Sequence, residues 1–386
     1  MKELVPNNTV NDVRQIKVVT VVGTRPEGIK MAPVVRALKQ RSDLFHHTFV
    51  STAQHRRMLD DVLKAFELKP DIDLQLMQPN QLLAHFASRA LSELSDLFAE
   101  LAPDVVLVQG DTTTVMAAGL AAFYKRIPVG HVEAGLRSFD RLNPFPEEIN
   151  RRVTGCVADF HFAPTERAKA NLLREGVPPE SVYVTGNTIV DALQSMRVDG
   201  SFECAALNSV PFKNRRVLLV TAHRRENHGA ALLSICAALK TLVARFTDVE
   251  IVFPVHLNPS VHGPVRDALG GTAHVHLTDP LSYGDLLRLM KRCHFILTDS
   301  GGIQEEAVSF QKPMLVLREV TERPEVTEAG VGKIVGTDEK RIADEATRLL
   351  DEPKTYQAMI SAQNPFGDGH AAERIVKILL NALRAT

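Results

Sequence analysis

Short apolar runs alternate with amphipathic, helix-length segments from Ile16 almost to the C-terminus, and the alternation runs through twice. Parallel strands need a long crossover between them, usually a helix, so this pattern predicts βαβ units and parallel sheets. Ile16–Val22, His47–Ser51, Asp104–Val108, Ile127–Val132, Phe160–Ala163 and Val182–Thr185 read as strands. Ile29, Met31, Ala32, Val34, Val35 and Leu38 give the first helix its apolar face. Further helices are expected at about 56–66 and 88–101. An irregular stretch, Arg197–Asn214, follows, and then the pattern restarts. Arg216–Thr221, Val249–Phe253, His274–Leu277, Phe295–Thr298 and Met314–Leu317 read as strands, with closing helices at about 339–361 and 370–385. The predicted fold is α/β, two Rossmann-like domains facing across a cleft. The first spans 1–185 and the second 186–369, and the last helix, about 370–386, is placed to pack back on the first.

At 386 residues the chain is long enough for two cores. A net charge of −1 leaves no basic field for nucleic acid or an anionic membrane. No apolar run approaches the roughly 18 residues needed to span a bilayer. The first fifteen residues are polar, lack the apolar centre of a signal peptide and read as a loose extension. Cys156, Cys204, Cys236 and Cys293 are scattered, which argues against zinc or a disulfide framework and for reduced thiols in a cytoplasmic protein. Gly-x-Gly-x-x-Gly after a strand, Gly-x4-Gly-Lys-Ser/Thr and His-Glu-x-x-His are all missing, so no cofactor and no metal are expected.

The stretch Val108–Arg152 concentrates the candidate chemistry. Two apolar strands each stop at a carboxylate, Asp111 and Glu133, and Glu147 follows in Pro-Phe-Pro-Glu-Glu with Arg151 one helical turn beyond. Ligands of open α/β sheets bind outside the carboxyl ends of the strands, where such acids serve chemistry better than packing. In the second half, Thr298-Asp299-Ser300-Gly301-Gly302 joins a strand to a helix. Its free N–H groups suit a phosphate, and Glu306 lies in reach of a ribose diol. An ordinary capped turn is the competing reading. Arg25 and Lys30 flank the Pro that opens the first helix, where cations are misplaced unless an anion is shared. The competing reading is a solvated helix start. His223, among Arg224 and Arg225 after a strand, suits a diphosphate or a proton transfer to one. Arg323, after another strand, is a further candidate phosphate partner, with a surface salt bridge as the competing reading, and nothing in its own segment singles it out. Asp285 and Glu93 read as solvated helix faces.

Several segments stand in order along the chain: Gly23-Thr24-Arg25-Pro26-Glu27-Gly28-Ile29-Lys30, Thr52-Ala53-Gln54-His55-Arg56, Gln109-Gly110-Asp111-Thr112, Gly130-His131-Val132-Glu133-Ala134-Gly135, Pro146-Glu147-Glu148-Ile149-Asn150-Arg151, Thr185-Gly186-Asn187-Thr188, Ala222-His223-Arg224-Arg225-Glu226-Asn227, Pro254-Val255-His256-Leu257-Asn258-Pro259, Asp299-Ser300-Gly301-Gly302 and Thr321-Glu322-Arg323-Pro324. Together they resemble the non-hydrolysing UDP-N-acetylglucosamine 2-epimerases of bacteria. The resemblance implies a GT-B-like fold, UDP held mainly by the second domain, and interconversion of UDP-N-acetylglucosamine and UDP-N-acetylmannosamine through elimination of UDP to 2-acetamidoglucal. It implies acid/base roles for Asp111, Glu133 and Glu147, with Arg151 positioning Glu147, and His223 beside the leaving diphosphate. Arg25, Lys30, Ser300, Gly301, Gly302, Glu306 and Arg323 are the implied nucleotide contacts. Leu281 and Leu286 mark the segment implied to hold uracil. Some members bind a second UDP-N-acetylglucosamine as activator. Gln54, His55 and Gln81 match that subsite, while Asn80 and Arg57 depart from it. The resemblance further implies a homodimer and a supply of N-acetylmannosamine units for cell-surface polysaccharide. A hydrolysing epimerase releasing N-acetylmannosamine, a GT-B glycosyltransferase and a non-catalytic nucleotide-sugar sensor are the alternatives.

Overall fold

The computed structural model describes residues 14–54, 56–78, 81–196, 198–321 and 323–384. Seven parallel strands form the first sheet: β1 (Ile16–Val22), β2 (Phe45–Ser51), β3 (Ile72–Asp73), β4 (Val105–Gln109), β5 (Val129–Val132), β6 (Phe160–Ala163) and β7 (Val182–Val184), in the order β3-β2-β1-β4-β5-β6-β7. Six more form the second: β8 (Arg216–Thr221), β9 (Val249–Pro254), β10 (Val275–Thr278), β11 (Phe295–Thr298), β12 (Met314–Val316) and β13 (Gly332–Ile334), in the order β10-β9-β8-β11-β12-β13. Helices cover both faces, so central strands such as β4, Val-Val-Leu-Val-Gln, are buried throughout. In each sheet the order reverses at the first strand, β1 or β8, which opens a crevice at its carboxyl end.

Strand register decides which loops meet in those crevices. Gln109 of β4 pairs with Val132 of β5, so Asp111 and Glu133 leave adjacent strand ends. Thr221 of β8 pairs with Thr298 of β11, so His223 and Ser300 each lie two residues beyond a matched pair. The two halves also touch. Ile29, Ala32, Val62 and Phe66 from the first share an apolar cluster with Leu287, Met290 and Ile303 from the second. The terminal helix, Ala371–Arg384, lies on the first half. Ala372, Ile375, Val376 and Leu379 join the core around β1, and the Ala372 N–H donates to Asp191 at 2.8 Å.

Some elements differ from expectation. β3 and β13 are too short to show a periodicity and were not anticipated. The expected helix at 339–361 splits into Glu339–Asp351 and Pro353–Ile360, because Pro353 pushes Glu352 out of helical backbone to φ −112°, ψ 93°. The helix expected from 88 begins at Leu83. The irregular stretch contains a helical turn, Ala205–Asn208. Asp285 is no solvated residue. It is fully buried, accepts the N–H groups of Glu203 and Cys204 at 3.0 and 2.8 Å, and pairs with Arg288, fastening the connecting segment to the second half. Among the described residues no helix is long and apolar enough to cross a membrane.

Candidate active site

The acids of the first half stand on a backbone bent at the end of two strands. Gly110 has φ +84°, a left-handed value that glycine adopts without penalty. Its carbonyl accepts Nε2–H of His131 at 2.7 Å. Burial pushes His131 down to about 3, so the ring is neutral. Asp111 follows, half-buried, and Arg151 grips it through Nε at 3.1 Å and through Nη2. The third guanidinium nitrogen, Nη1, donates to Glu148 at 3.0 Å. Arg151 therefore holds both Asp111 and Glu148. Glu148 faces inward, and Oε2 of the neighbouring Glu147 is buried as well. Glu148 is buried and also accepts the Ser138 N–H at 2.9 Å. Burial would raise its carboxyl, but the Ser138 N–H and Arg151 outweigh that and hold it low. Glu147 opens the helix Glu147–Val157 and is half-buried.

Glu133 lies directly after β5, buried, at φ +64°. Lys30 and the Gln109 amide hydrogen-bond its carboxylate, and Asn187 Nδ2 donates to it at 3.1 Å. Lys30 reaches across the cleft to Glu305 at 2.8 Å, and Glu305 is bonded in turn by Arg323. Two carboxylates thus share one lysine, and the second has an arginine besides. Burial would raise Glu305, yet Arg323 and Lys30 hold it down to about 2. Burial raises Glu133 more than Lys30 lowers it, and the charge of Glu305 adds to the rise. Burial would lower Lys30 itself, but the two acids outweigh it and raise it. The environments drive the two acids apart, the arrangement that separates a proton carrier from a permanent anion.

The second half supplies a strand-to-helix turn at Asp299–Gly302. Ser300 precedes the helix Gly301–Ser309 with an extended backbone, and its side chain caps nothing. A Cβ built on Gly302 meets nothing within 4 Å, so packing within the chain does not require glycine there. On Gly301 it lies 3.8 Å from Arg224 Nη2, which places the His223–Arg224 loop beside the same helix start. Asp299 joins the two loops. Its Oδ2 accepts the N–H groups of His223 and Arg224, each at 2.8 Å, and Asn227 Nδ2–H at 2.9 Å. Burial lowers His223, and the charge of Asp299 opposes the fall. Glu306 is buried and pushed up to about 7 by burial, and Tyr283 O–H donates to it at 3.0 Å. Arg25, from the first half, sits 5.4 Å above the Tyr283 ring, within cation–π range.

Leu281 and Leu286 are half-buried against the shared apolar cluster. Pro280, Leu281 and Ser282 line a cavity of about 370 Å³. Of the residues matched to an activator subsite, Gln54 accepts the Thr114 hydroxyl at 2.8 Å and Gln81 accepts the Gln78 N–H at 3.0 Å. His55 lies outside the described residues. Among the described residues no group of three or more His, Cys, Asp or Glu is arranged for a metal ion. Sequence reasoning passed over Glu27, Glu148, Asp299 and Glu305, four buried acids that organise the site. Each adjoins or lies within a segment that was singled out, but nothing in one sequence marks that Glu305 and Glu306 are both buried, or that Glu148 is buried more deeply than Glu147.

The description UDP-N-acetylglucosamine 2-epimerase belongs to the protein family that matches residues 36–380. The UDP-N-acetylglucosamine 2-epimerase of Escherichia coli K12 is 52% identical over 373 residues, covering 95% of this chain and 99% of that protein. That of Bacillus subtilis is 51% identical over 368 residues, covering 95% and 96%. A crystal structure of UDP-GlcNAc 2-epimerase from Neisseria meningitidis bound to UDP-GlcNAc superposes with a TM-score of 0.86 at 46% identity, covering 95% of this chain and all of that one. The architecture is accordingly the GT-B-like one of these enzymes. With half of its residues shared over nearly its full length, the chain belongs to the UDP-N-acetylglucosamine 2-epimerase family.

Proposed function

We propose that the chain interconverts UDP-N-acetylglucosamine and UDP-N-acetylmannosamine without releasing free sugar. The observation that carries this reading is the pair of buried carboxylates around Lys30, with Glu133 driven toward the protonated form and Glu305 held ionised. The hydrogen on C2 has no adjacent carbonyl to make it acidic. Breaking the C1–O bond to UDP develops positive charge at C1, and the C2 proton then leaves to a carboxylate as the C1=C2 bond forms. The products of this step are 2-acetamidoglucal and UDP. A proton delivered to the opposite face of C2, with UDP returning to C1, completes the inversion. Two faces require two acid/base groups, drawn from Glu133, Asp111 and Glu147. Ser300, Gly301, Gly302, Arg25, Arg323 and His223 serve the departing diphosphate, where fixed donors act on charge as it develops. Glu306 serves the ribose. Lys30 orients Glu133. The working form is a cytoplasmic homodimer that supplies N-acetylmannosamine units for cell-surface polysaccharide.

The test is incubation with UDP-N-acetylglucosamine in deuterated water with no acceptor. The expected product is UDP-N-acetylmannosamine carrying deuterium at C2. Free N-acetylmannosamine would replace this reading with the hydrolysing one. No turnover under any effector condition would overturn it.

A further inference from the structure

Asp299 is completely buried, and only half of its carboxylate is engaged. Oδ2 takes three N–H groups and fixes the loop 223–227. Oδ1 is buried with no hydrogen-bond partner. An ionised carboxylate oxygen kept from water in this way is costly unless a donor comes to it. The nearest ionisable nitrogen is Nδ1 of His223, 3.6 Å away and just beyond bonding distance. The His223 ring cannot retreat freely, since it stacks on His256 with centroids 5.3 Å apart and planes 13° from parallel. Its carbonyl is within 3.3 Å of His228 Nε2, which secures the backbone beneath the ring.

We propose that Asp299 is the positioning residue for His223. Oδ1 takes the Nδ1–H of the imidazole when the site is engaged, and this leaves the opposite ring nitrogen, Nε2, to donate to the departing diphosphate. The inference rests on the epimerase reading for what His223 faces, but not for the coupling of Asp299 to His223. A neutral His with a proton on Nδ1 presents Nε2 as an acceptor, and the cation presents it as a donor. The carboxylate therefore favours the form that can assist a leaving phosphate. The charged and titratable groups facing His223 are Asp299 from the end of β11, His256 from the end of β9, and Arg224 and Glu226 on its own loop. Asp299 and Glu226 favour the imidazolium, and burial, His256 and Arg224 oppose it.

Asp299→Asn isolates the charge. The amide oxygen keeps the three N–H bonds of Oδ2, and the amide NH₂ replaces Oδ1 and donates toward Nδ1. Nitrogen NMR of the full chain with labelled histidine, with His223 identified by the signals lost in His223→Gln, reads tautomer and titration together. In the unsubstituted protein the neutral ring should carry its proton on Nδ1. In Asp299→Asn the proton should move to Nε2, and the pKa should fall by about one unit or more, the shift expected from losing an adjacent opposite charge. In the deuterium assay kcat should drop about tenfold or more with KM little changed, and the limb of the pH profile assigned to His223 should move to lower pH. The same tautomer and the same titration in both proteins would overturn the proposal, whatever the activity. If the unsubstituted protein does not epimerise, the epimerase reading fails while the NMR comparison still decides the coupling. If Asp299→Asn does not fold, the tautomer of the unsubstituted protein decides, and a proton on Nε2 overturns the proposal.

Discussion

Replacing Glu305 by Gln should cost the folded protein about 3 kcal/mol at neutral pH. The side chain is 2% exposed, and its two partners, Lys30 and Arg323, are 10% and 13% exposed, so none of the three charges has much water to fall back on. Removing one member of a buried ion pair typically costs about 3–5 kcal/mol, because the partner stays buried and unpaired. Lys30 retains Glu133, which argues for the lower end. A second route agrees: a carboxyl held at about 2 rather than 4.5 corresponds to roughly 3 kcal/mol. A folding unit the size of either half would lose about 6–12 °C of melting temperature. Calorimetry over a series of pH values is the assay. A depressed pKa gives stability that is present above the unfolded value of 4.5 and is lost as pH falls through about 2. The substitution should therefore flatten the acid limb between those values and lower the plateau above it. A shift below about 2 °C at pH 7, or an unchanged acid limb, would refute the reasoning and show that this buried network carries no more than a surface ion pair.

Gly302→Ala should leave the melting temperature nearly unchanged, since the new methyl meets nothing in the chain, while UDP affinity measured by calorimetry falls about tenfold or more. Equal UDP affinity would return that turn to the ordinary capped reading. Glu27 is buried and pushed up to about 7, so its contribution to stability is present below 4.5 and lost as pH rises through about 7. Glu27→Gln should make denaturation midpoints flatter across that window and higher than the parent at pH 8. A lower midpoint at pH 8 would contradict the assigned cause. Asp111→Asn should reduce turnover by about 10²–10⁴-fold with UDP still bound, and retained turnover would remove Asp111 from the acid/base set.

The fold was legible because its period is long and regular. Every strand of four residues or more in the structure was anticipated, while the two-residue β3 and three-residue β13 carry no alternation to read. The placement of Asp111 and Glu133 at strand ends was legible for the same reason: once a parallel sheet is inferred, the residue after a strand is expected to face the crevice. Partnerships were not. The family resemblance implied that Arg151 positions Glu147, and the bonds Arg151 makes to Asp111 and Glu148 left no sign in the sequence. Asp285 looked solvated because, Arg288 apart, the partners that bury it are backbone N–H groups of Glu203 and Cys204, far earlier in the chain, and main-chain donors leave no mark in a sequence. The bond between Lys30 and Glu305 was hidden in another way. Both segments were singled out as nucleotide-facing, but only the three-dimensional meeting of the halves shows that Lys30 lies between two acids.

Glu133 joins these strands of reasoning, because it violates two local rules at once. A non-glycine residue at φ +64° costs on the order of 1 kcal/mol, and burying a carboxylate whose one ion-pair partner is a lysine shared with Glu305 adds a desolvation cost. The backbone holds it there from both sides. Gly110 N–H bonds to Val132 O at 3.0 Å, and Ala134 N–H bonds to Phe162 O at 3.1 Å. Glycine would relieve the strain and an apolar residue would relieve the buried charge, so neither cost is explained by folding. Both costs place one carboxyl against Lys30, Gln109 and Asn187, with its pKa raised, beside the strand end that carries Asp111. A residue held against its own preferences by regular structure on either side is a candidate for chemistry rather than packing, and proton transfer is the role proposed for Glu133.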